Sequence, residues 1–350
     1  MYAREGCINC HSQLVRFTHA DVRRFGLPSQ AWETDREYPQ LWGTRRIGPD
    51  LARESGRRSK DWHWTHLWNP RSVVPDSMMP GYPWLFDGSP RRPTTEALDL
   101  TAYLDFLGRD AQLAGLDRNT PARQMDPDEE ARLGVFCDCA IPRTRGLAIL
   151  LSTDMPPAEF ERHVLMGKAA FARDCAGCHG AGGAGDGPAS ESLLPRPRDL
   201  TAARFSDRAL SEYLWFGVPG SSMPSWSDLP ATELRALAGF VRSLASEETE
   251  DEKQPEAEQT RAKDLFARNC IACHGDSESK TRRSLNDTLA PRPTRFLWVR
   301  PSRIYAETVL RDGVPGTAMP PWKNKLTEDE RRSLARYVRS LYRGDFASWE

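Results

Sequence analysis

Cys7-Ile8-Asn9-Cys10-His11 stands at the head of the chain, and its spacing decides how the rest is read. Two thiols three positions apart on one helical turn can each add to a vinyl group of a single porphyrin, and the adjoining imidazole then faces the iron. This is the c-type haem attachment pattern. A single copy also suits a zinc or redox Cys-x-x-Cys. The spacing recurs at Cys175/Cys178/His179 and Cys270/Cys273/His274, so that six of the eight cysteines and three of the seven histidines are used in this way. The expectation is three covalently bound haem c groups, held by Cys7, Cys10, Cys175, Cys178, Cys270 and Cys273, with His11, His179 and His274 on the irons.

Outward from the motifs the chain is helical in pattern. Glu159–Cys175 sets Phe160, Val164, Met166, Gly167, Ala170 and Phe171 near one stripe, and Thr260–Cys270 repeats this with Leu265 and Phe266, both at a 3.6-residue period. The first motif has no room for such a helix in front of it. A second amphipathic stretch closes each unit, at Thr94–Gly108, Pro230–Leu244 and Thr327–Leu341, each opening on Thr or Pro with Glu close behind. Two terminal helices clasping a haem is the class I cytochrome c plan. The fold expected is all-α, with three such domains at 1–108, 155–246 and 260–350, joined by polar linkers at 109–154 and 247–259. Ser246–Gln259 carries seven acids and one lysine and no aromatic residue, which reads as a solvated tether.

The second and third units repeat one another. With Cys175 set on Cys270, Leu194-Pro195-Arg196-Pro197 falls on Ala290-Pro291-Arg292-Pro293 and Gly217–Trp226 on Gly313–Trp322, with Cys-to-Met offsets of 48 and 49. Met223 and Met319 are thereby expected as sixth iron ligands, a thioether trans to histidine favouring ferrous iron, with proline fixing the backbone just after each sulfur. In the first unit Pro75-Asp76-Ser77-Met78-Met79-Pro80 offers two candidates, of which Met79 directly precedes proline. The proximal rings need a partner for their second nitrogen. Gly48-Pro49-Asp50-Leu51 and the two Pro-Arg-Pro segments are placed to offer carbonyls. Arg45, Arg46, Arg71, Arg196 and Arg292 are candidates for haem propionates as much as for plain surface. Trp62, Trp64, Trp68 and Trp84 are expected around the first haem. His19, His63, His66 and His163 read as surface or core residues, and Cys137 and Cys139 as two unremarkable thiols, with copper binding or a strained disulfide as the alternatives for such a pair.

Composition excludes more than it assigns. Lysine plus arginine total 48 against 49 acids, so no global charge calls for nucleic acid or an anionic membrane surface. No apolar run reaches the ~18–20 residues of a membrane span, and no secretory signal opens the chain. Because haem is attached to c-type proteins outside the bacterial cytoplasm, the expectation is a missing upstream signal or anchor and a place on the periplasmic side of the bacterial inner membrane.

Tyr2–Gln13, Trp42–Leu51, Asp61–Leu67 and Asn69–Leu85 together resemble the mono-haem cytochrome c subunit of cbb3-type cytochrome c oxidases, over residues 2–108. Residues from 155 onward resemble tandem class I cytochrome c domains, similar in kind to the di-haem subunit of those oxidases. Two departures stand out: the family's membrane anchor does not precede the first domain here, and Met78 occupies a place where the family usually shows asparagine. The resemblance implies electron transfer to the haem–copper catalytic subunit, with a cytochrome c or a membrane quinol-oxidising complex as donor. It also implies membrane association through an anchor or through partner subunits. The chain shows no acid/base constellation of its own. A periplasmic carrier serving a dehydrogenase is the alternative. A peroxidase-like enzyme is disfavoured by the three Met-Pro loops.

Overall fold

Hydroxyl side chains start most of the longer helices. α1 (His19–Phe25), α2 (Lys60–Trp68) and α3 (Thr95–Phe106) begin at Thr18, Ser59 and Thr94, whose side chains accept from the N–H groups of Asp21, Trp62 and Ala97. Next in the chain come α4 (Pro157–Asp174), β1 (Ala203–Phe205), α5 (Asp207–Phe216), α6 (Ala231–Ser243), α7 (Glu256–Asn269), β2 (Val299–Pro301), α8 (Arg303–Asp312) and α9 (Glu328–Ser340). Ser206, Ser302 and Thr327 cap α5, α8 and α9 in the same manner, and Glu330 completes a capping box with Thr327. Each such hydroxyl contributes ~1 kcal/mol. The computed structural model describes residues 1–114, 157–227, 229–245, 254–275 and 289–344. Cys137 and Cys139, most of the 109–154 linker and residues 246–253 of the acidic tether lie outside them.

The chain divides into two compact units, Met1–Ile149 with Pro224–Pro230, and Leu150–Met223 with Ala231–Glu350. In the first, α2 packs on α3 around Tyr2, Leu67, Tyr82, Leu85, Leu100 and Leu104. Two arginines tie the irregular segments down. The Arg53 guanidinium, fully buried, forks onto Glu33 at 2.9 and 3.2 Å and also donates to the Phe25 carbonyl. Arg46 is held by Asp21, Asp50 and the Leu14 carbonyl. Buried guanidinium charge is tolerated only with such complete pairing, so Arg46 anchors these segments. Arg45, Arg71, Arg196 and Arg292 are exposed.

In the second unit α4 lies across α6, while α7 and α8 pack on α9. The face that α4 buries is narrower than its periodicity suggests: Gly167, Ala170 and Phe171 are inside, whereas Met166 is 47% exposed and Val164 only half-buried. Gly167 sits at the helix crossing, where a Cβ would come within 2.0 Å of the Ala236 carbonyl oxygen. The third-repeat counterpart of Gly167 is Ala262, which is wholly buried.

The two repeats of this unit are also joined edge to edge. β1 and β2 pair antiparallel, with Ala203 opposite Pro301, Arg204 opposite Arg300 and Phe205 opposite Val299. Ser302 N–H donates to the Ala202 carbonyl at 2.7 Å and Ser206 N–H to the Trp298 carbonyl at 2.8 Å. Each of these contacts occurs twice with the roles exchanged, since Ala202 and Trp298, Arg204 and Arg300, and Ser206 and Ser302 hold matching places in the repeat. The same holds for Gly220, packed on Ala290 and Pro291, and Gly316, packed on Leu194 and Pro195; both glycines have φ near +80° (84° and 81°), where a side chain would be strained. The interface is isologous, the arrangement of a two-fold symmetric dimer, here within one chain. Among the described residues no helix is long and apolar enough to cross a membrane.

Gly167→Val should destabilise the second unit by ~1–3 kcal/mol through overpacking at the crossing. Thermal melting followed by far-UV circular dichroism reads this directly, and an unchanged midpoint would refute the role given to the crossing.

Candidate haem sites

Each Cys-x-x-Cys-His segment forms a single tight turn, because the histidine N–H returns to the carbonyl of the first cysteine: His11 to Cys7, His179 to Cys175 and His274 to Cys270, each at 2.9 Å. The turn follows an aromatic residue that packs on the closing helix of its unit. Tyr2 meets Tyr103 on α3 at a ring-centroid distance of 5.4 Å, Phe171 meets Phe240 on α6 at 5.1 Å, and Phe266 meets Tyr337 on α9 at 5.5 Å. The ring planes are tilted by 54°, 58° and 58°. Tilted pairs of this kind are favoured by the ring quadrupole, at ~0.5–1.5 kcal/mol beyond area burial. Tyr2 makes at the first motif the same ring contact that Phe171 and Phe266 make at the other two.

The second ring nitrogen of every motif histidine is bound. Nδ1–H donates to a backbone carbonyl in all three: His11 to Pro49 at 2.8 Å, His179 to Arg198 at 3.0 Å and His274 to Thr294 at 2.9 Å. Only the Nδ1–H tautomer can donate to a carbonyl, so Nε2 is left with a lone pair for a metal. For the first site the carbonyl lies inside the segment expected. For the others it belongs to the residue just after Pro-Arg-Pro. Burial holds His179 and His274 below the ordinary histidine value, against the raising effect of the carbonyl bond. Burial also pushes the Cys7 and Cys270 thiols up to about 11 and that of Cys175 to about 12. These cysteines are free of disulfides.

The methionine loops share one turn. Ser77, Ser221 and Thr317 N–H donate to the carbonyls of Val74, Val218 and Val314. Their hydroxyls in turn accept from the N–H of Met79, Met223 and Met319 at 3.2, 3.2 and 3.1 Å. Hydroxyl residues close such turns locally. The common sequence is Val-Pro-x-Ser/Thr-x-Met-Pro, and its register falls on Met79. Met78, 80% exposed, does not occupy that position, whereas Met79 is half-buried and packs on the cluster that includes Cys7 and Ile8. Met319 likewise packs against a cluster that Cys270 and Ile271 also meet. This shared seven-residue pattern was legible in the sequence and is a firmer guide than the Met-Pro pair alone.

Other side chains singled out above fall into place around the first motif. Trp64 and Trp68 pack into the same cluster, Trp64 donating to the Thr101 hydroxyl at 3.1 Å. Trp84 is exposed, bonded to Glu5. Trp62 stacks on His66 at 4.6 Å, and burial drives His66 down to about 3. His63 is buried 3.9 Å from Glu54, and its burial also lowers its value.

The chemistry of the donor set fits haem. Trp322 Nε1 is buried with no partner among the described residues, and Trp322 packs against the same core cluster as Met319 and Cys270. Its counterpart Trp226 Nε1 is in the same condition. An indole donor of this kind lacks an acceptor that a propionate would supply. At the first site Gly48 admits the His11 ring where a Cβ would lie 2.2 Å from Cε1.

Residues 1–106 match the family model for the mono-heme cytochrome c oxidase subunit FixO. Residues 151–241 and 257–338 each match the model for subunit III of cbb3-type cytochrome c oxidase. The cbb3-type cytochrome c oxidase subunit FixP of Bradyrhizobium diazoefficiens is 28% identical over 211 residues, 56% of this chain and 67% of that one. Subunit CcoP of Cereibacter sphaeroides is 27% identical over 219 residues, 56% of this chain and 69% of that one. Cytochrome c55X of Paracoccus denitrificans is 34% identical over 82 residues, 23% of this chain and 73% of that one. The chain thus spans about two thirds of the length of the cbb3-type relatives.

Thr317→Ala removes the acceptor for the Met319 N–H. Hydrogen exchange at that amide should accelerate about fivefold, the equivalent of ~1 kcal/mol; unaltered protection would mean that the hydroxyl does not set the loop.

Proposed function

Because the chain belongs to the cytochrome c subunits of cbb3-type cytochrome c oxidases, we propose that it is a tri-haem electron-input protein uniting the mono-haem and di-haem roles. The observation that carries this is the threefold recurrence of one complete site: a Cys-x-x-Cys-His turn, an imidazole with Nδ1–H fixed on a carbonyl, and a Val-Pro-x-Ser/Thr-x-Met-Pro loop.

In this reading Cys7/Cys10, Cys175/Cys178 and Cys270/Cys273 form the thioether links. His11 with Met79, His179 with Met223 and His274 with Met319 bind the irons. When bound, the haems supply one-electron iron chemistry. The chain's own residues do the rest. The carbonyls of Pro49, Arg198 and Thr294 orient the imidazoles, and the hydroxyl-closed loops hold the sulfurs. Trp322 donates to a propionate. With a histidine and a methionine both given to each haem, the irons would be suited to electron transfer. Electrons enter from a donor cytochrome c or quinol-oxidising complex at the C-terminal pair, leave through the His11 site, and reach the haem–copper catalytic subunit. The protein works on the periplasmic side of the bacterial inner membrane, with 1–108, 155–246 and 260–350 as its domains.

Mass spectrometry of the chain matured in a haem-competent periplasm should show three haems, and replacing Cys7 and Cys10 together by alanine should leave two. Fewer than three on the unaltered chain would sink this assignment. Co-purification with a haem–copper subunit separates it from a dehydrogenase partner. Met79→His should lower one of three resolved potentials, since histidine favours the ferric state more than a thioether does, while Met78→Ala should leave all three in place.

A further inference from the structure

Arg198 and Thr294 hold the same place in the two repeats of the second unit, each just after its Pro-Arg-Pro segment. Both give their backbone carbonyl to a motif imidazole, Arg198 to His179 at 3.0 Å and Thr294 to His274 at 2.9 Å. They also meet each other, for Arg198 Nη1 donates to Thr294 Oγ1 at 3.3 Å. Two motif histidines are therefore linked through only two residues, whose backbone carbonyls hold the rings and whose side chains bond to each other. The guanidinium is clamped between rings from both repeats, 5.5 Å from the centroid of Phe205 and 5.1 Å from that of Tyr305. Its Nε is buried with no partner among the described residues, and no carboxylate pairs with this arginine there. Among the described residues, the guanidinium is thus a half-buried positive charge without a carboxylate partner, bonded to the residue whose carbonyl holds His274.

We propose that Arg198 is a shared positioning residue of the two C-terminal haem sites, its one charge disfavouring the ferric state of both and coupling their potentials across the repeat interface. The inference rests on the tri-haem reading. An extra positive charge on ferric iron is disfavoured by a fixed cation in a medium of low effective dielectric, and second-shell groups of this kind tune a site without touching the metal.

The experiment is a spectroelectrochemical titration of the full, haem-loaded chain, with haem number first fixed by mass. Three haems on the unaltered chain are the precondition; a lower number defeats the tri-haem reading and is seen before any variant is titrated. In Arg198→Gln, two of the three components should move to lower potential, with the ferrous-to-ferric ratio at a fixed ambient potential falling about threefold, or ~30 mV at 59 mV per tenfold for one electron. Arg198→Lys, which keeps the charge, should restore both. A shift in only one component, in none, or equally in all three would overturn the proposal. If Arg198→Gln loads haem incompletely, Thr294→Val decides. It deletes only the acceptor and should shift one component, whereas three unmoved components would refute the bridge.

Discussion

A single hydrogen bond, from histidine Nδ1–H to a carbonyl that comes from a loop 19 to 38 residues further on, organises every haem motif in this chain. It fixes the ring tautomer and leaves a lone pair on Nε2. It also requires that the intervening loop return to the motif, which fixes where Gly48 can approach and where Pro-Arg-Pro must run. The aromatic pair behind each turn then sets the closing helix. The geometry of three sites follows from the repetition of these two contacts, despite local sequences as different as Tyr2-Ala-Arg-Glu-Gly and an eighteen-residue helix.

That organisation explains why the cytochrome subunits of cbb3-type oxidases can be recognised here from two separate family models on one chain. The motif histidines and the loop methionines are positioned by backbone hydrogen bonds within short turns. The surrounding segments are accordingly free to differ, and the first unit spends that freedom on the buried Arg46 and Arg53 networks that tie its long irregular connections.

Much of this was legible in the residues. The leading and closing helices stand within a few positions of where periodicity and cap signals put them, because amphipathic patterning and hydroxyl caps are local. The Gly167 crossing was visible as a glycine in a helical stripe, although its neighbours Val164 and Met166 face outward, a distinction that depends on which partner helix lies across them. The β1–β2 ladder was not legible. Ala203-Arg204-Phe205 and Val299-Arg300-Pro301 are too short for an alternating pattern, and each pairs only because its counterpart exists ninety-six residues away. Arg46 was likewise unreadable, since its partner Asp21 is remote in sequence and the flanking motif suggested an open position.

The isologous contact between the repeats carries one more consequence. In a true homodimer of the first of these repeats, Arg198 would face its own copy, and two guanidiniums would be pressed together. Two copies encoded in tandem escape that restriction, for each mutation enters one half alone. Symmetry could be broken at its own axis, arginine on one side and threonine on the other, so that like charges became donor and acceptor. Gene fusion, in this protein, supplied a freedom to diverge that a self-associating single domain does not have.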